Sequence, residues 1–341
     1  MIIILLSGCA GDLLPGQAKS DSELEPNDSF SSAQKISAEN TNSLTISGTL
    51  SNSYDTDIFN IGELSAGTKL SIEINSQDSS SYRELTIALF DKDYDIAHLE
   101  DIDVTPYYQL AFTHTIRKRG TYFLGVTPEN SYISDNFSYE IKISKSSVSV
   151  PSPSSQLVYL DFDGASNISL GNDFYSRLAP FAEATDKYDD RQVADIIVDL
   201  IKQDYEGLDI QFISSYDSGT PILPHTTVYI TGDYDEYLGL SEHVDWYNSD
   251  YTDYAIVFAG AFDTNGFTMT EYAQSIANVI SHELGHLLGL IHTDDDTELM
   301  DEATPASLLV ENQDFHRAPL IDFPVGWQDA IDLLEMILGT N

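Results

Sequence analysis

The sequence predicts two domains of different class, an all-β sandwich followed by an α+β domain, and three observations predict it. Short alternating runs rich in β-branched and aromatic residues fill the first part of the chain. In the second part, strand-like runs and runs of helical period succeed one another. Between the two lies "SKSSVSVPSPSSQ", Ser144 to Gln156, where each proline removes a backbone donor that a continuing strand needs. A chain of 341 residues is long enough for two modules with separate cores. The expected layout is a signal remnant at 1–9, a flexible tether at 10–25, a sandwich at 26–147, a linker at 148–154 and the α+β domain at 155–341.

The N-terminus reads "MIIILLSGCAGD". Its apolar run ends in Leu6-Ser7-Gly8-Cys9, which resembles the lipobox at which bacterial lipoproteins are cleaved and acylated on the cysteine. That resemblance implies an extracytoplasmic protein, held to the cell envelope by a lipid on Cys9 or secreted. Cys9 is also the chain's one cysteine, so no intrachain disulfide can form and stability must come from the cores and from metal. No later stretch approaches the roughly 18 apolar residues of a membrane-spanning helix, so membrane contact is expected only through the lipid. The next segment, "AGDLLPGQAKSDSELE", has no hydrophobic period and reads as the tether.

The sandwich is read from "SLTISGTL", "TKLSIEIN", "ELTIALFD", "YQLAFTH", "GTYFLGVTP" and "FSYEIKIS", separated by Gly, Asn, Asp and Ser turns; no helix is needed. Three further stretches, "ELEPNDSFSSAQKI", "DTDIFNI" and "GTYFLGV", resemble the opening and two strands of the bacterial pre-peptidase C-terminal domain family. The resemblance implies a β-sandwich accessory to a secreted peptidase, here placed before its partner domain rather than after it. Asp55 and Asp57 are candidate structural calcium ligands, with turn stabilisation as the open alternative.

In the second domain "QLVYLDFDG" opens as a strand. "DDRQVADIIVDLIKQDYEG" repeats Val193, Ile196, Ile197, Leu200 and Ile201 at helical spacing. "DIQFIS", "TTVYITG" and "YAIVFAG" are strands again. "TEYAQSIANVISHELGHLLG" carries Ile276, Val279, Ile280, Leu284, Leu287 and Leu288 in an i, i+3, i+4 pattern, which predicts a buried helix. "GWQDAIDLLEMILG" predicts a closing amphipathic helix.

The buried helix holds the chemistry. His282 and His286, four apart, lie on one face, and Glu283 sits beside the point they share. Gly289 can take the left-handed conformation that ends a helix, and the turn brings His292 round as a third nitrogen. Three protein ligands leave one position of a tetrahedral zinc ion open for water, with Glu283 in reach as general base. The full spacing H-E-x-x-H-x-x-G-x-x-H resembles the zinc signature of the metzincin metallopeptidases. Met300, in "TELMDE", matches the methionine turn that the family places beneath the metal.

This resemblance covers about residues 155–341 and implies a twisted mixed sheet with an active-site helix, one catalytic zinc ion and hydrolysis of extracellular protein or peptide substrates. It also implies an edge strand that pairs with extended substrate, for which "TTVYITG" and "YAIVFAG" are the two candidates. Glu302 stands where some members keep a tyrosine, and Thr293 follows His292, so the subfamily is open. The alternative from another class is a surface binding or adhesion lipoprotein whose metal-holding domain turns over little. His225 and His243 lie outside the motif and receive no role.

Charge narrows the partners. With 56 acidic and 15 basic residues the formal net charge is −41, which repels nucleic-acid phosphates and anionic lipid headgroups. The surplus is read as tolerance of salty surroundings together with a few calcium ions. Asp294, Asp295 and Asp296, close behind His292, are expected to disfavour acidic substrates. A monomer is expected.

Overall fold

The computed structural model describes residues 17–36, 41–77, 83–129, 136–171, 173–262, 264–302 and 307–341. Cys9 and the apolar run before it lie outside these. No helix of the described residues is long and apolar enough to cross a membrane. The chain divides into two compact units, Met1–Pro151 and Ser152–Asn341.

The first unit is built of strands β1 (Gln17–Ser22), β2 (Gln34–Lys35), β3 (Thr41–Leu50), β4 (Asp57–Leu64), β5 (Thr68–Ser76), β6 (Arg83–Phe90), β7 (Ile96–Val104), β8 (Gln109–Thr115), β9 (Gly120–Pro128) and β10 (Phe137–Ser147). They form two five-stranded sheets, ordered β1-β3-β10-β5-β8 and β2-β4-β9-β6-β7. Period-two alternation turns Leu44, Ile46, Ile72, Ile74, Ile141 and Ile143 of one sheet into a core shared with Leu85, Ile87, Leu89, Leu124 and Val126 of the other. Each such side chain contributes roughly 1.5–3 kcal/mol by leaving water. Gly48 pairs with Tyr139 across β3 and β10, and a Cβ at Gly48 would stand 2.4 Å from the tyrosine ring. The missing side chain lets Tyr139 lie in the core with its hydroxyl donating to Asp57.

One expectation is corrected here. Residues 17–22, read as part of the tether, form β1, which pairs in parallel with β3 from Ala18 against Ser43 to Ser22 against Ser47. The pairing is made by main-chain groups, so a run of Lys, Ser and Asp gives no hydrophobic sign of it. The sandwich therefore begins before residue 26. Strand β7 was also unforeseen.

The second unit contains β11 (Gln156–Asp161), a hairpin of β12 (Ile168–Leu170) and β13 (Asp173–Tyr175), α1 (Asp190–Asp204), β14 (Ile210–Ser214), β15 (Thr226–Thr231), β16 (Gly239–Ser241), β17 (Tyr254–Phe258), α2 (Met269–Leu287), a hairpin of β18 (Arg317–Pro319) and β19 (Trp327–Asp329), and α3 (Ala330–Leu338). The main sheet runs β14-β11-β15-β17-β16, parallel except for β16 at its edge. Both strands proposed for substrate pairing, β15 and β17, are interior; the edges are β14 and the three-residue β16, and β16 is the edge that packs against α2. The closing helix starts later than expected, because Trp327–Asp329 pairs with Arg317–Pro319 and Asp329 caps α3 by accepting from the Asp332 amide.

Helix α2 is buried on nearly every side, which fits its Ala, Ile, Val and Leu content. Thr268 and Glu271 form a reciprocal capping box at its start, fixing where the helical register begins. It packs against β16, β17 and α1. The end of α1 is pinned to it at one point: the Ser281 hydroxyl donates to Asp204 Oδ2 at 2.6 Å, and the Tyr205 hydroxyl donates to the Ser281 carbonyl at 3.0 Å. Burial pushes the Asp204 carboxyl up to about 7, against the hydrogen bond from Ser281, and Asp314 adds to the rise.

A carboxyl raised in the folded state retains a proton that the unfolded chain releases near pH 3.9. Its stabilising contribution is complete below that pH and is lost as pH climbs through about 7. Asp204→Asn keeps an oxygen for Ser281 and cannot ionise. Thermal melts are expected to show the variant gaining on the wild type by roughly 2–3 kcal/mol between pH 5 and pH 7. A constant difference across that range would refute the assignment.

Candidate metal centre

His282 and His286 lie one turn apart on α2, and His292 follows the turn that ends it. Their ring nitrogens converge: His286 Nε2 is 3.1 Å from His282 Nε2 and 3.1 Å from His292 Nε2. Zinc–nitrogen bonds of 2.0–2.1 Å in a tetrahedron set nitrogen–nitrogen edges of about 3.3–3.4 Å, close to this spacing. The other nitrogens settle which atom is free. His282 Nδ1 donates to the Leu299 carbonyl at 2.7 Å, and His286 Nδ1 donates to the Leu290 carbonyl at 2.9 Å. A carbonyl can only accept, so Nδ1 carries the proton and Nε2 presents a lone pair. Lone pairs pointed at one another repel, and a cation at their meeting point turns repulsion into ligation.

Burial reinforces the neutral state. It drives His282 down to about 4, assisted by His292, and holds His286 well below its usual range. Neutral imidazoles are the form that ligates metal. The donor set thus fits a divalent cation of zinc type.

The turn that delivers His292 is held from several directions. Gly289 has φ of 90°, and a Cβ there would meet the Asp245 carbonyl and the Tyr247 amide at 2.9 Å. Gln328, fully buried on β19, accepts from the Ile291 amide and donates to the Ile291 carbonyl, each at 2.8 Å. Glu298, equally buried, accepts from the Thr293 hydroxyl at 2.8 Å and from the Met300 amide at 2.5 Å. Burial pushes its carboxyl up to about 7 against those hydrogen bonds. One side chain therefore ties the residue after His292 to Met300.

Met300 itself is fully buried, and its sulfur occupies the space a side chain at Gly285 would need, 2.5 Å from the position of such a Cβ. It supports α2 between the first two histidines. Sequence reasoning singled out Gly289 and Met300 but missed Glu298 and Gln328, whose partners are distant or follow from loop geometry.

Glu283 is buried and faces a cleft of about 550 Å³ that also holds the three histidines. Burial pushes its carboxyl up to about 8, opposed by a hydrogen bond with Ser241. Gly239 on the same edge strand stands so close that a Cβ would be 2.5 Å from Glu283 Oε1. Strand β16 thus forms one wall and leaves room for the carboxylate. Glu236, Asp301 and Glu302 add acidic lining; Asp294, Asp295 and Asp296, expected to set the potential, do not line the cleft.

A second group of acids lies in the sandwich. Ligand-capable oxygens of Glu23, Glu25 and Asp57 come within 4.8 Å of one another, as do those of Glu25, Asp28 and Asp55. The Asn27 side-chain amide, oriented to satisfy its neighbours, donates to Glu25 Oε2 at 2.9 Å and to Asp57 Oδ1 at 3.1 Å.

No protein-family model matches the chain, and no curated protein sequence matches it. Among solved structures, archaemetzincin from Methanopyrus kandleri is 13% identical over 47% of this chain and 87% of its own, with a TM-score of 0.30. The pre-peptidase C-terminal domain of collagenase from Bacillus anthracis is 18% identical over 36% of this chain and all, 100%, of its own, with a TM-score of 0.25. A periplasmic inhibitor of g-type lysozyme from Aeromonas hydrophila is 13% identical over 33% of this chain and 97% of its own, at 0.26. These are partial likenesses.

The Gly289 turn offers a direct check. Gly289→Ala forces a left-handed alanine, at roughly 1–2 kcal/mol, into backbone contact with the 245–247 loop. Expected results are a melting temperature lowered by several degrees and zinc(II) affinity reduced at least tenfold in a competition titration. Unchanged affinity would remove the turn from the centre's construction.

Proposed function

We propose that the chain is a zinc-dependent endopeptidase acting on extracellular proteins, with the sandwich as an accessory module and Cys9 as a lipid anchor. The observation that carries this reading is the convergence of three Nε2 atoms beside Glu283, in a cleft walled by an antiparallel edge strand. Zinc held by His282, His286 and His292 would supply Lewis acidity toward a substrate carbonyl and a water of lowered pKa.

The remaining work falls to the chain's own groups. Glu283 accepts the proton of the attacking water and returns it to the departing amine. Its burial raises the carboxyl, and a divalent charge held beside it would lower it again. Ser241 orients it. Free main-chain groups on the outer side of β16 are suited to pair with an extended peptide, as in strand addition. The acidic lining from Glu236, Asp301 and Glu302 favours basic segments over acidic ones.

Glu283→Gln preserves shape and removes the base. Casein digestion is expected to fall by about 10²–10⁴-fold while zinc content stays at the wild-type level, and chelation should silence the wild type. Wild-type digestion by the variant would overturn the peptidase reading. Full zinc content with no hydrolysis of any unfolded protein by the wild type would favour the adhesion lipoprotein instead.

We also infer structural calcium in the sandwich. The observation that supports it is the pair of overlapping carboxylate groups, Glu23, Glu25 and Asp57 with Glu25, Asp28 and Asp55, the ligand-capable oxygens of each lying within 4.8 Å of one another around fully buried Asp57. Calcium takes oxygen ligands of just these kinds. At a hundredfold excess over its dissociation constant, calcium would add about 2.7 kcal/mol to the folded state. The melting temperature of the full chain should rise by several degrees on moving from chelator to calcium, and Asp57→Asn should abolish most of the rise. Equal melting in calcium and chelator would exclude the ion.

A further inference from the structure

The loop 242–253 joins β16 to β17 and carries His243, one of the histidines outside the cleft. Ligand-capable atoms of His243, Asp245 and Asp253 all lie within 4.8 Å of one another. His243 is exposed, whereas Asp245 is 3% exposed and Asp253 only 1%. Two carboxylates are therefore packed together inside the fold with an imidazole at the mouth.

Their hydrogen bonding is incomplete in a telling way. Asp245 accepts from the Ser249 hydroxyl at 2.6 Å and from the Asp250 amide at 2.8 Å. Asp253 Oδ1 accepts from the Thr226 hydroxyl at 2.7 Å, but Asp253 Oδ2 is buried with no hydrogen-bond partner. The charged groups acting on Asp253 are Asp245, Asp250 and Glu242, all acidic. A buried carboxylate oxygen without a donor, beside like charge, is unfavourable unless a proton or a cation compensates it. The loop is also held in a demanding conformation, with left-handed φ of 65° at Tyr247 and 49° at Asn248.

We propose that His243, Asp245 and Asp253 bind a second divalent transition-metal ion, separate from the three-histidine centre. The imidazole decides the class: mixed nitrogen and carboxylate donors suit zinc or a similar first-row ion, whereas calcium takes six to eight oxygens. The exposed His243 is the ligand with most freedom to adjust to the ion.

The place of this ion gives it a role. The Asp245 amide donates to the His286 carbonyl at 2.9 Å, and residues 245–247 are the backbone that meets Gly289. The same loop begins just after Ser241 at the end of the cleft's edge strand. An ion at 243–253 would therefore hold the edge strand against the turn that delivers His292. Binding stands independently of the peptidase reading; only its effect on turnover rests on that reading.

Metal-stripped full-length protein titrated with zinc(II), with bound metal counted after equilibrium dialysis, tests this. Wild type is expected to hold one equivalent more than His243→Ala and one more than Asp253→Asn. His292→Ala should lose a different equivalent, so that His243→Ala combined with His292→Ala loses two. Cobalt(II) absorption spectra of the two single variants should differ in the same sense. His243 is exposed, so its variant should melt like the wild type without metal, which separates lost binding from lost folding. Equal zinc content in His243→Ala and wild type overturns the proposal. Loss in His243→Ala with none in His292→Ala would instead sustain it and sink the reading of the first centre.

Discussion

Everything at the candidate centre depends on one arrangement: imidazole rings that give their Nδ1 protons to backbone carbonyls and so aim Nε2 lone pairs at a common point. For His282 and His286 the carbonyls belong to Leu299 and Leu290, in the chain segments after α2 rather than in the helix that carries the rings. The histidines are thus oriented by the path of the chain beyond Gly289. That path is in turn held by Gln328 at Ile291 and by Glu298 at Thr293 and Met300. Helix, turn and floor form one closed set of hydrogen bonds, and loosening any member frees a ring to rotate.

Such an arrangement tolerates burial of polar groups because each has a partner. It also explains why so many carboxyls in this acidic chain are raised rather than lowered. Asp57, Asp204, Asp253, Glu283 and Glu298 all lie inside the fold, and burial is the largest cause of the shift in each. Exposed charges, which supply most of the chain's formal net charge of −41, are easily screened by salt; buried carboxylates are screened much less. They need hydrogen bonds, a proton or a cation. Glu298 and Asp204 have donors suited to the first two. Asp57, which accepts from Tyr139, and Asp253 stand among other acids, and for each a cation is the counter-charge proposed above.

What the sequence disclosed and what it withheld follow from the range of the interactions. The i, i+4 spacing of His282 and His286, the turn at Gly289 and the helical period of α2 are local, and local periodicity is visible in a linear text. The strands β3, β5, β6, β8, β9 and β10 are visible for the same reason. By contrast β1 is held by main-chain pairing without apolar alternation, and β16 is only three residues long. Gln328 meets Ile291 across 37 positions, and Gly239 matters through its closeness to Glu283 on another element. His243 seemed idle because Asp253 lies ten residues on and acquires meaning only when the loop folds back.

The edge strand is where these lessons meet. A strand of three residues has little apolar surface to fix it, and β16 has only β17 as a sheet neighbour. Yet it must stand close enough to α2 for Ser241 to bond Glu283, and Gly239 leaves no slack in that approach. Its position must therefore be set from outside the strand, by what holds its two ends. On the C-terminal side that is the 242–253 loop, anchored to His286 through the Asp245 amide. A bond from the loop to the carbonyl of a centre histidine couples the wall of the cleft to its floor. Displacement of one then displaces the other, so the place of β16 and the aim of the imidazoles are parts of a single mechanical unit rather than separate features of the fold.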